Sequence, residues 1–329
     1  MTTITLRGAL IAGAIAFIAL ASPSAALAQG ASFPVKPVRL INPFAPGGPV
    51  DIVGRTVAQE LSTAWGQPVI VDNRPGAGTT LGAALVARAT PDGYTLLVTS
   101  VSTAVASTVY RNLPYDAARD FAPVAILAET PLVFAVHPSM SAKSVKEFIA
   151  LAKAKPDQIS YGSAGQGTIT HLAGEFMKSV GKIDLTHVPY KGGAPSVAAT
   201  TAGEVQALFD QSVAILPQAK VGKLRAIAVT SPRRTDIAPE IPTFAESGLP
   251  GFEVIVWNAI FAPGGTPRGT VDKINADINR ALKAPHVRER LSGLGLSPVE
   301  GNAASFSTYF KSEIARWARV SKEAGVKIE

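Results

Sequence analysis

At 329 residues, 47% of them hydrophobic, the chain is long enough for two packed cores and too apolar to be disordered. It has no cysteine, which excludes disulfides, thiolate metal sites and a lipid-anchored N-terminal cysteine. The net charge of +7 is scattered, densest at Arg233-Arg234 and Arg288/Arg290, and no run interleaves cations with aromatics as a nucleic-acid module would, so it reads as a solvated surface that mildly favours small anions.

Arg7 precedes an apolar run over 9–21, and Ala26-Leu27-Ala28 precedes Gln29. This is the three-part layout of a cleavable secretion signal over 1–28, with cleavage expected near Ala28. The run is shorter than the ~20 residues a membrane span needs, and no later stretch is long enough either. A soluble exported protein is expected, most simply periplasmic.

An apolar run at 38–41 then leads through Asn42-Pro43-Phe44-Ala45-Pro46-Gly47-Gly48-Pro49-Val50-Asp51 into a helical pattern with Val50, Val53, Val57 and Leu61 on one face. This predicts a strand, a tight glycine turn and a helix start. Gly47 and Gly48 tolerate positive φ, and Asp51 falls near a helix N-terminus, where free N–H groups and the positive dipole end favour an anion. The arrangement returns twice. Residues 69–71 run through a loop centred on Gly76-Ala77-Gly78 into a helix from about Thr80. Residues 159–161 run through Gly162-Ser163-Ala164-Gly165-Gln166-Gly167-Thr168 into a helix carrying Ile169, Leu172, Ala173 and Phe176. Three corners of one kind predict a shared binding cleft.

Residues 94–99 read as a strand whose end at Ser100 points a loop toward the same edge, where open α/β sheets bind ligands. A polar link at 112–116 leads to a long extended segment, 122–137, interrupted by Pro131 and suited to crossing between domains. Ser144 with Glu147 forms a capping box before Val145, Phe148, Ile149 and Ala152. The helix after the third corner closes at Gly181. Residues 187–192 are a short strand and turn, an alanine-rich helix starts at Ser196 and stops at Gly203, and 205–210 and 224–230 are strands. The loop 236–250 holds a helical turn at 243–246, and 252–262 is the return crossing. Thr266 and Pro267 are N-cap and first-turn proline of a helix with Val271, Ile274, Ile278 and Leu282 on one face. A last helix, 304–324, buries Phe306, Phe310, Trp317 and Val320. The βαβ alternation predicts an α/β protein with a mostly parallel sheet, and no 20–50-residue repeat points to a solenoid.

Five motifs run in order along the mature chain: Pro43-Phe44-Ala45-Pro46-Gly47-Gly48-x-x-Asp51; Asp72-Asn73-Arg74-Pro75-Gly76-Ala77-Gly78; Pro91-Asp92-Gly93-Tyr94-Thr95-Leu96-Leu97; Ser163-x-Gly165-x-Gly167-Thr168-x-x-His171-Leu172; and His187-Val188-Pro189-Tyr190-Lys191-Gly192. With the leader, they make the sequence resemble the Bug family, the extracytoplasmic solute-binding proteins of tripartite tricarboxylate transporters. The resemblance implies a type II periplasmic-binding-protein fold: two α/β domains, 29–127 plus 255–329 and 128–254, with mostly parallel sheets joined by two crossing strands. These would close over a small carboxylate (a dicarboxylate, tricarboxylate, aromatic carboxylate or acidic amino acid) and deliver it to membrane permease subunits. Carried over residue by residue, loop amides, hydroxyls and ordered waters would hold the ligand at Phe44, Gly47, Gly48 and Asp51, at Gly76, Ala77 and Gly78, at Ser100, at Ser163, Gly165, Gly167 and Thr168, and at Tyr190 and Asp210. Two positions depart from the family pattern. Pro49-Val50 stands where a small residue followed by Thr or Ser is frequent, removing a donor and a hydroxyl, and Thr79 stands where a further glycine is common. A monomer is expected, with no cofactor, metal or nucleic acid.

Plainer roles stand beside these. Asp51 is an acceptor for a ligand amine or hydroxyl, or a helix-start residue held by the dipole; Asp210, just past a strand, is a second such acceptor. Phe44 stacks on a ligand or only walls the corner, and Tyr190 offers its hydroxyl or packs on Pro189. His171 and Glu175 have the i, i+4 spacing of a metal pair but no third ligand, so His171 is expected to bond the loop that begins its own helix. Ser163 raises a secreted hydrolase, yet Tyr161 stands where a Gly-x-Ser-x-Gly elbow needs glycine, and nothing marks a base among His137, His171, His187 and His286. Gly76-Ala77-Gly78 is next followed by Gly82, unlike Gly-x-Gly-x-x-Gly, so a nucleotide cofactor is not expected. A receptor subunit presenting ligand to a membrane sensor would carry the same binding site.

Overall fold

The computed structural model describes residues 33–328, so the expected leader and its cleavage site lie outside the described residues. Strand β1 (Val38–Asn42) leads through the first corner into α1 (Pro49–Trp65), and β2 (Val69–Asn73) leads through a 3₁₀ turn at Ala77–Thr79 into α2 (Thr80–Ala87). β3 (Thr95–Ser100) runs directly into α3 (Ser102–Val109). β1 pairs in parallel with both β2 and β3, so three strand ends and their corners share one edge of the sheet.

β4 (Phe121–Val136) is one 16-residue strand that crosses into a second wing. There follow α4 (Val145–Ala154), β5 (Ser160–Ser163), α5 (Ile169–Gly181), β6 (Thr186–Pro189), α6 (Gly193–Thr201), β7 (Ala207–Gln211), α7 (Ser212–Lys220) and β8 (Arg225–Val229). β9 (Ile255–Pro263) returns, and α8 (Arg268–Lys283), α9 (Pro285–Gly293), β10 (Ser297–Pro298) and α10 (Ala303–Glu323) follow it. The sheet order is β2-β1-β3-β9-β4-β7-β5-β6, with β8 and β10 also on β4. β5 pairs in parallel with β6 and β7, so each wing has a parallel block, and the antiparallel ladders gather on the crossing strands. Up to Pro131, β4 pairs with β9; from Leu132 on it lies between β7 and β8.

These elements differ from the sequence expectations at several places, the two-residue β10 among them. α3 went unread because Thr103, Val105, Thr108 and Val109 are β-branched and read as poor helix formers; packing overrides that, since six of its eight residues are buried. α7 went unread because Pro217 lies inside it. α9 had no clear apolar stripe, with only Val287 and Leu291 buried. α6 begins at Gly193, three residues ahead of Ser196. Thr266 does not cap α8: its hydroxyl donates to the Pro263 carbonyl at 2.7 Å, and Pro267 occupies the cap position.

Aromatic side chains fill both cores. Phe134, Phe148, Phe209 and Phe244 pack in the second wing, and Phe306 and Phe310 of α10 meet Trp257 and Phe261 of β9 edge-on or tilted. Glu313 of α10 is buried here and accepts the indole N–H groups of Trp257 and Trp317, both at 3.0 Å, which offsets the cost of taking its carboxylate out of water. Among the described residues no helix is long and apolar enough to cross a membrane, and no three His, Asp or Glu side chains are grouped to hold a metal.

Candidate functional site

The first corner is organised by one carboxylate. Asp51, third residue of α1 and 3% exposed, accepts from the Gly47 N–H at 3.0 Å, Arg55 Nε at 2.9 Å, Asn73 Nδ2 at 2.9 Å and Asn42 Nδ2 at 3.3 Å. Burial pushes its pKa up, but the bonds from Arg55, Gly47 and Asn73 together outweigh burial and hold it below the usual carboxylate range. Asn73 also donates to the Phe44 carbonyl at 3.1 Å, so one carboxylate ties the first corner to the start of the second. Gly47 takes φ of 80°, whereas Gly48 is extended as the N-cap of α1.

The second corner is a left-handed run, with φ of 143, 43, 56 and 84° at Gly76, Ala77, Gly78 and Thr79. A β-branched residue is strained at such an angle, and the Thr79 hydroxyl is buried without a partner. At Gly78 a side chain is excluded twice over, by its φ and because a Cβ would strike the Gln166 carbonyl of the third corner. Tyr110, just past α3, donates its hydroxyl to that same carbonyl at 2.9 Å.

In the third corner Thr168 donates its hydroxyl to the Gly165 carbonyl at 2.6 Å and accepts the His171 N–H at 3.5 Å as N-cap of α5. The Gly167 N–H donates to His171 Nδ1 at 3.1 Å, the loop bond expected of that histidine. Two further bonds join the wings: Ala45 N–H to the Lys191 carbonyl at 2.8 Å, and Ile169 N–H to Ser102 Oγ at 3.1 Å.

Between the corners lies a narrow cleft, and its wall is built from helix starts. Gly48, Pro49 and Val50 belong to the start of α1, Ser102 to α3, Ile169 and Thr170 to α5, Gly193 to α6, and Gln211 to α7. Phe44, Ser100, Ala164 and Asp210 complete the lining, which holds no Lys, Arg or His. Five helices therefore aim their positive dipole ends into one space.

Of the residues predicted from sequence, Phe44, Gly48, Ser100 and Asp210 line this cleft. Gly47, Asp51, Ser163, Gly165, Gly167 and Thr168 build the corners behind the lining. Gly78, with Gly76 and Ala77 beside it, meets the third corner across the seam, and Tyr190 lies outside the lining with its N–H on the Ser163 carbonyl at 3.0 Å. Sequence reasoning missed Pro49, Val50, Ser102, Ala164, Ile169, Thr170, Gly193 and Gln211. Pro49, Val50 and Ala164 stand inside recognised corners, Ile169, Thr170 and Gly193 one or two residues beyond a recognised corner or turn, and Ser102 and Gln211 were hidden with the unread helices.

Asp210 is also 3% exposed, but only Oδ1 has a partner, the Gln211 N–H at 2.8 Å. Oδ2 is unpartnered and stands against Gly193, where a Cβ would strike it. Burial pushes this carboxyl up to about 7, against the weaker pull of the Gln211 bond.

Ser163 does meet a histidine, one the sequence did not mark: its Oγ is 2.6 Å from His187 Nε2. Ser163 is fully buried and accepts the Gly165 N–H at 3.1 Å, while the His187 ring stacks against His171 at 4.0 Å and Tyr161 at 5.0 Å. Burial holds His187 at about 3, with His171 adding to it, and His171 at about 4, with Lys178 adding to it. These neutral rings clasp the loop, with Ser163 Oγ buried inside it.

Known proteins match this chain over nearly its whole length. Residues 53–326 match the family model described as tripartite tricarboxylate transporter family receptor. The chain is 39% identical to the protein of the tcbD-tcbE intergenic region of Pseudomonas sp. strain P51, over 89% of this chain and 87% of that protein. It is 35% identical to BugT of Bordetella pertussis, over 95% and 96%. Among solved structures it is similar to an R. palustris protein with adipate (34% identity, TM-score 0.87, 90% of this chain and 99% of that). It is likewise similar to MatC from Rhodopseudomonas palustris with bound malate (36% identity, TM-score 0.85, 88% and 99%).

Proposed function

The chain belongs to the tripartite tricarboxylate transporter receptor family, and from that premise we propose that it captures a small carboxylate in the cleft between its wings and hands it to the permease subunits of such a transporter. It is a periplasmic solute-binding protein and not an enzyme. The convergence of five helix starts on a cation-free cleft carries the reading: amide donors and dipoles can hold an anion there without a point charge. Neighbours solved with adipate and malate support a dicarboxylate as the ligand.

In this reading Phe44, Gly48, Ser100 and Asp210 touch the ligand, and Gly47, Asp51, Ser163, Gly165, Gly167 and Thr168 hold the donors in place. Gly76, Ala77 and Gly78 shape the seam that closes over it, and Tyr190 braces the third corner. The wings act as domains 29–127 plus 255–329 and 128–254, flexing where β4 and β9 cross. Residues 1–28 direct export and are cleaved near Ala28, and the mature protein works as a monomer. A thermal-shift screen of C4–C6 dicarboxylates, citrate, aromatic carboxylates, acidic amino acids, sugars and polyamines tests the ligand class. A ligand at about 100 times its Kd adds roughly 2.7 kcal/mol, which raises the midpoint by several degrees. Shifts confined to sugars or polyamines would overturn the assignment.

A further inference from the structure

We propose that the cleft takes up one proton together with its carboxylate ligand, and that Asp210 carries it as a neutral acid whose hydroxyl donates to the bound carboxylate. The inference rests on the carboxylate reading above and concerns the protonation state of that same site. Asp210 is the one ionisable residue in the cleft lining, it is buried, and its Oδ2 has no partner among the described residues. A ligand carboxylate within hydrogen-bond reach of that oxygen would place two anions in a space without a cation, and two such groups do not both stay ionised. A proton on Oδ2 removes the repulsion and converts an orphaned acceptor into a charge-assisted donor.

The surroundings offer no competing charge. On the elements packed around Asp210 the titratable or charged groups are Asp51, Arg55 and Glu60 of α1, Lys191 before α6, His171 of α5 together with its Glu175–Lys178 ion pair, Tyr161 of β5, His187 of β6, Lys220 of α7, and Glu129 of β4. Asp51 and Arg55 pair with each other, the two histidines are stacked and neutral, and Lys191 is exposed. Burial and the Gln211 N–H are what act on the Asp210 carboxyl, and burial already lifts it to about 7 before a ligand adds its own charge. The proton comes from solvent as the cleft closes: an O–H bond forms at Oδ2, the carboxylate charge there disappears, and no other bond changes.

Calorimetric titration of the mature chain with malate and with adipate, between pH 7 and 9 and in two buffers of different ionisation enthalpy, reads the proton directly. We expect close to one proton taken up per ligand bound near pH 8, and affinity falling roughly tenfold per pH unit above 7. Asp210→Asn, whose amide donates as the neutral acid would, should bind with no proton uptake and with affinity flat over the same range, while Asp210→Ala should bind more weakly throughout. Binding by the wild type without proton uptake, or a pH slope that survives in Asp210→Asn, overturns the inference. So does a preference for aspartate or glutamate that strengthens with pH, which would put an ionised Asp210 on a ligand ammonium. If no carboxylate binds at any pH, the carboxylate reading itself fails and the proton goes with it; proton stoichiometry is read only from complexes that form, so the two failures are distinct.

Discussion

Asp51 and Asp210 occupy matching places in the two wings. Asp51 lies in the first turn of α1, and Asp210 in the last residues of β7 just before α7, not past the strand as the sequence suggested. Each is 3% exposed, and yet one carboxyl is held below its ordinary range while the other is raised to about 7. Four donors reach Asp51, and only the Gln211 N–H reaches Asp210. Burial alone therefore decides neither outcome; the number of donors within reach does. A saturated carboxylate is a fastener for its own loop. An unsaturated one in a cleft wall is available to something outside the chain.

Removing the saturated side should break this contrast most visibly. Asp51→Ala would leave four donors, one of them a guanidinium, facing an empty buried site, and we expect a loss of about 3 kcal/mol in urea unfolding. In the wild type this contribution is present above the unfolded pKa near 4 and drains as pH falls through the depressed folded value, so Asp51→Asn should flatten the acid limb of the stability profile.

The unsaturated side can be tested by crowding it. Gly193→Ala drives a methyl against the buried Asp210 Oδ2, and we expect ligand affinity to fall roughly 10–100-fold by calorimetry, or about 1.4–2.7 kcal/mol, with a smaller loss in the unfolding midpoint.

Nitrogen sharpens the comparison. His171 is buried and His187 half-buried, both are neutral, and each ring has one hydrogen-bond partner: His171 Nδ1 accepts the Gly167 N–H, and His187 Nε2 shares a proton with the Ser163 hydroxyl. An unfolded histidine binds its proton near 6.5, so the stability these rings supply is present above that pH and is lost as pH falls toward their folded values of about 4 and about 3. Asp210 contributes with the opposite sign, present below about 4 and lost as pH rises toward 7. Replacing His187 by Asn should reduce the drop in stability between pH 7 and pH 4.5 by roughly 1–2 kcal/mol, read from urea midpoints.

The smallest expected effect is conformational. Thr79→Gly would relieve a β-branched residue at φ of 84° and remove a buried unpartnered hydroxyl, a gain of about 0.5–1 kcal/mol in thermal unfolding. A loss there would show that the Thr79 methyl packs more favourably than its backbone is strained.

The strand-turn-helix corners were legible because their signals are local: apolar runs, glycines and a 3.6-residue period within thirty residues. The capping box at Ser144 and Glu147 was legible for the same reason, and the Glu147 N–H donates to Ser144 Oγ at 3.2 Å as read. α3 and α7 were not, because their stability comes from tertiary packing, which a β-branched run and an internal proline conceal. Two of the five helix starts around the cleft were lost with them. The contrast between Asp51 and Asp210 was equally invisible, since Asn42 and Asn73 reach Asp51 only once β1 and β2 are paired.

Pro131 has a kinetic meaning. It stands in β4 at the point where the strand stops pairing with β9 and passes between β7 and β8, paired to Ile255 but without an N–H of its own. In the proposed closure, bending at that point gives up no hydrogen bond from the proline itself. Closing over a ligand would then proceed at a speed set by the chain and shared by every carboxylate that enters. Discrimination would fall on reopening, where each ligand must break its own contacts, and selectivity would be written in residence times rather than in capture rates.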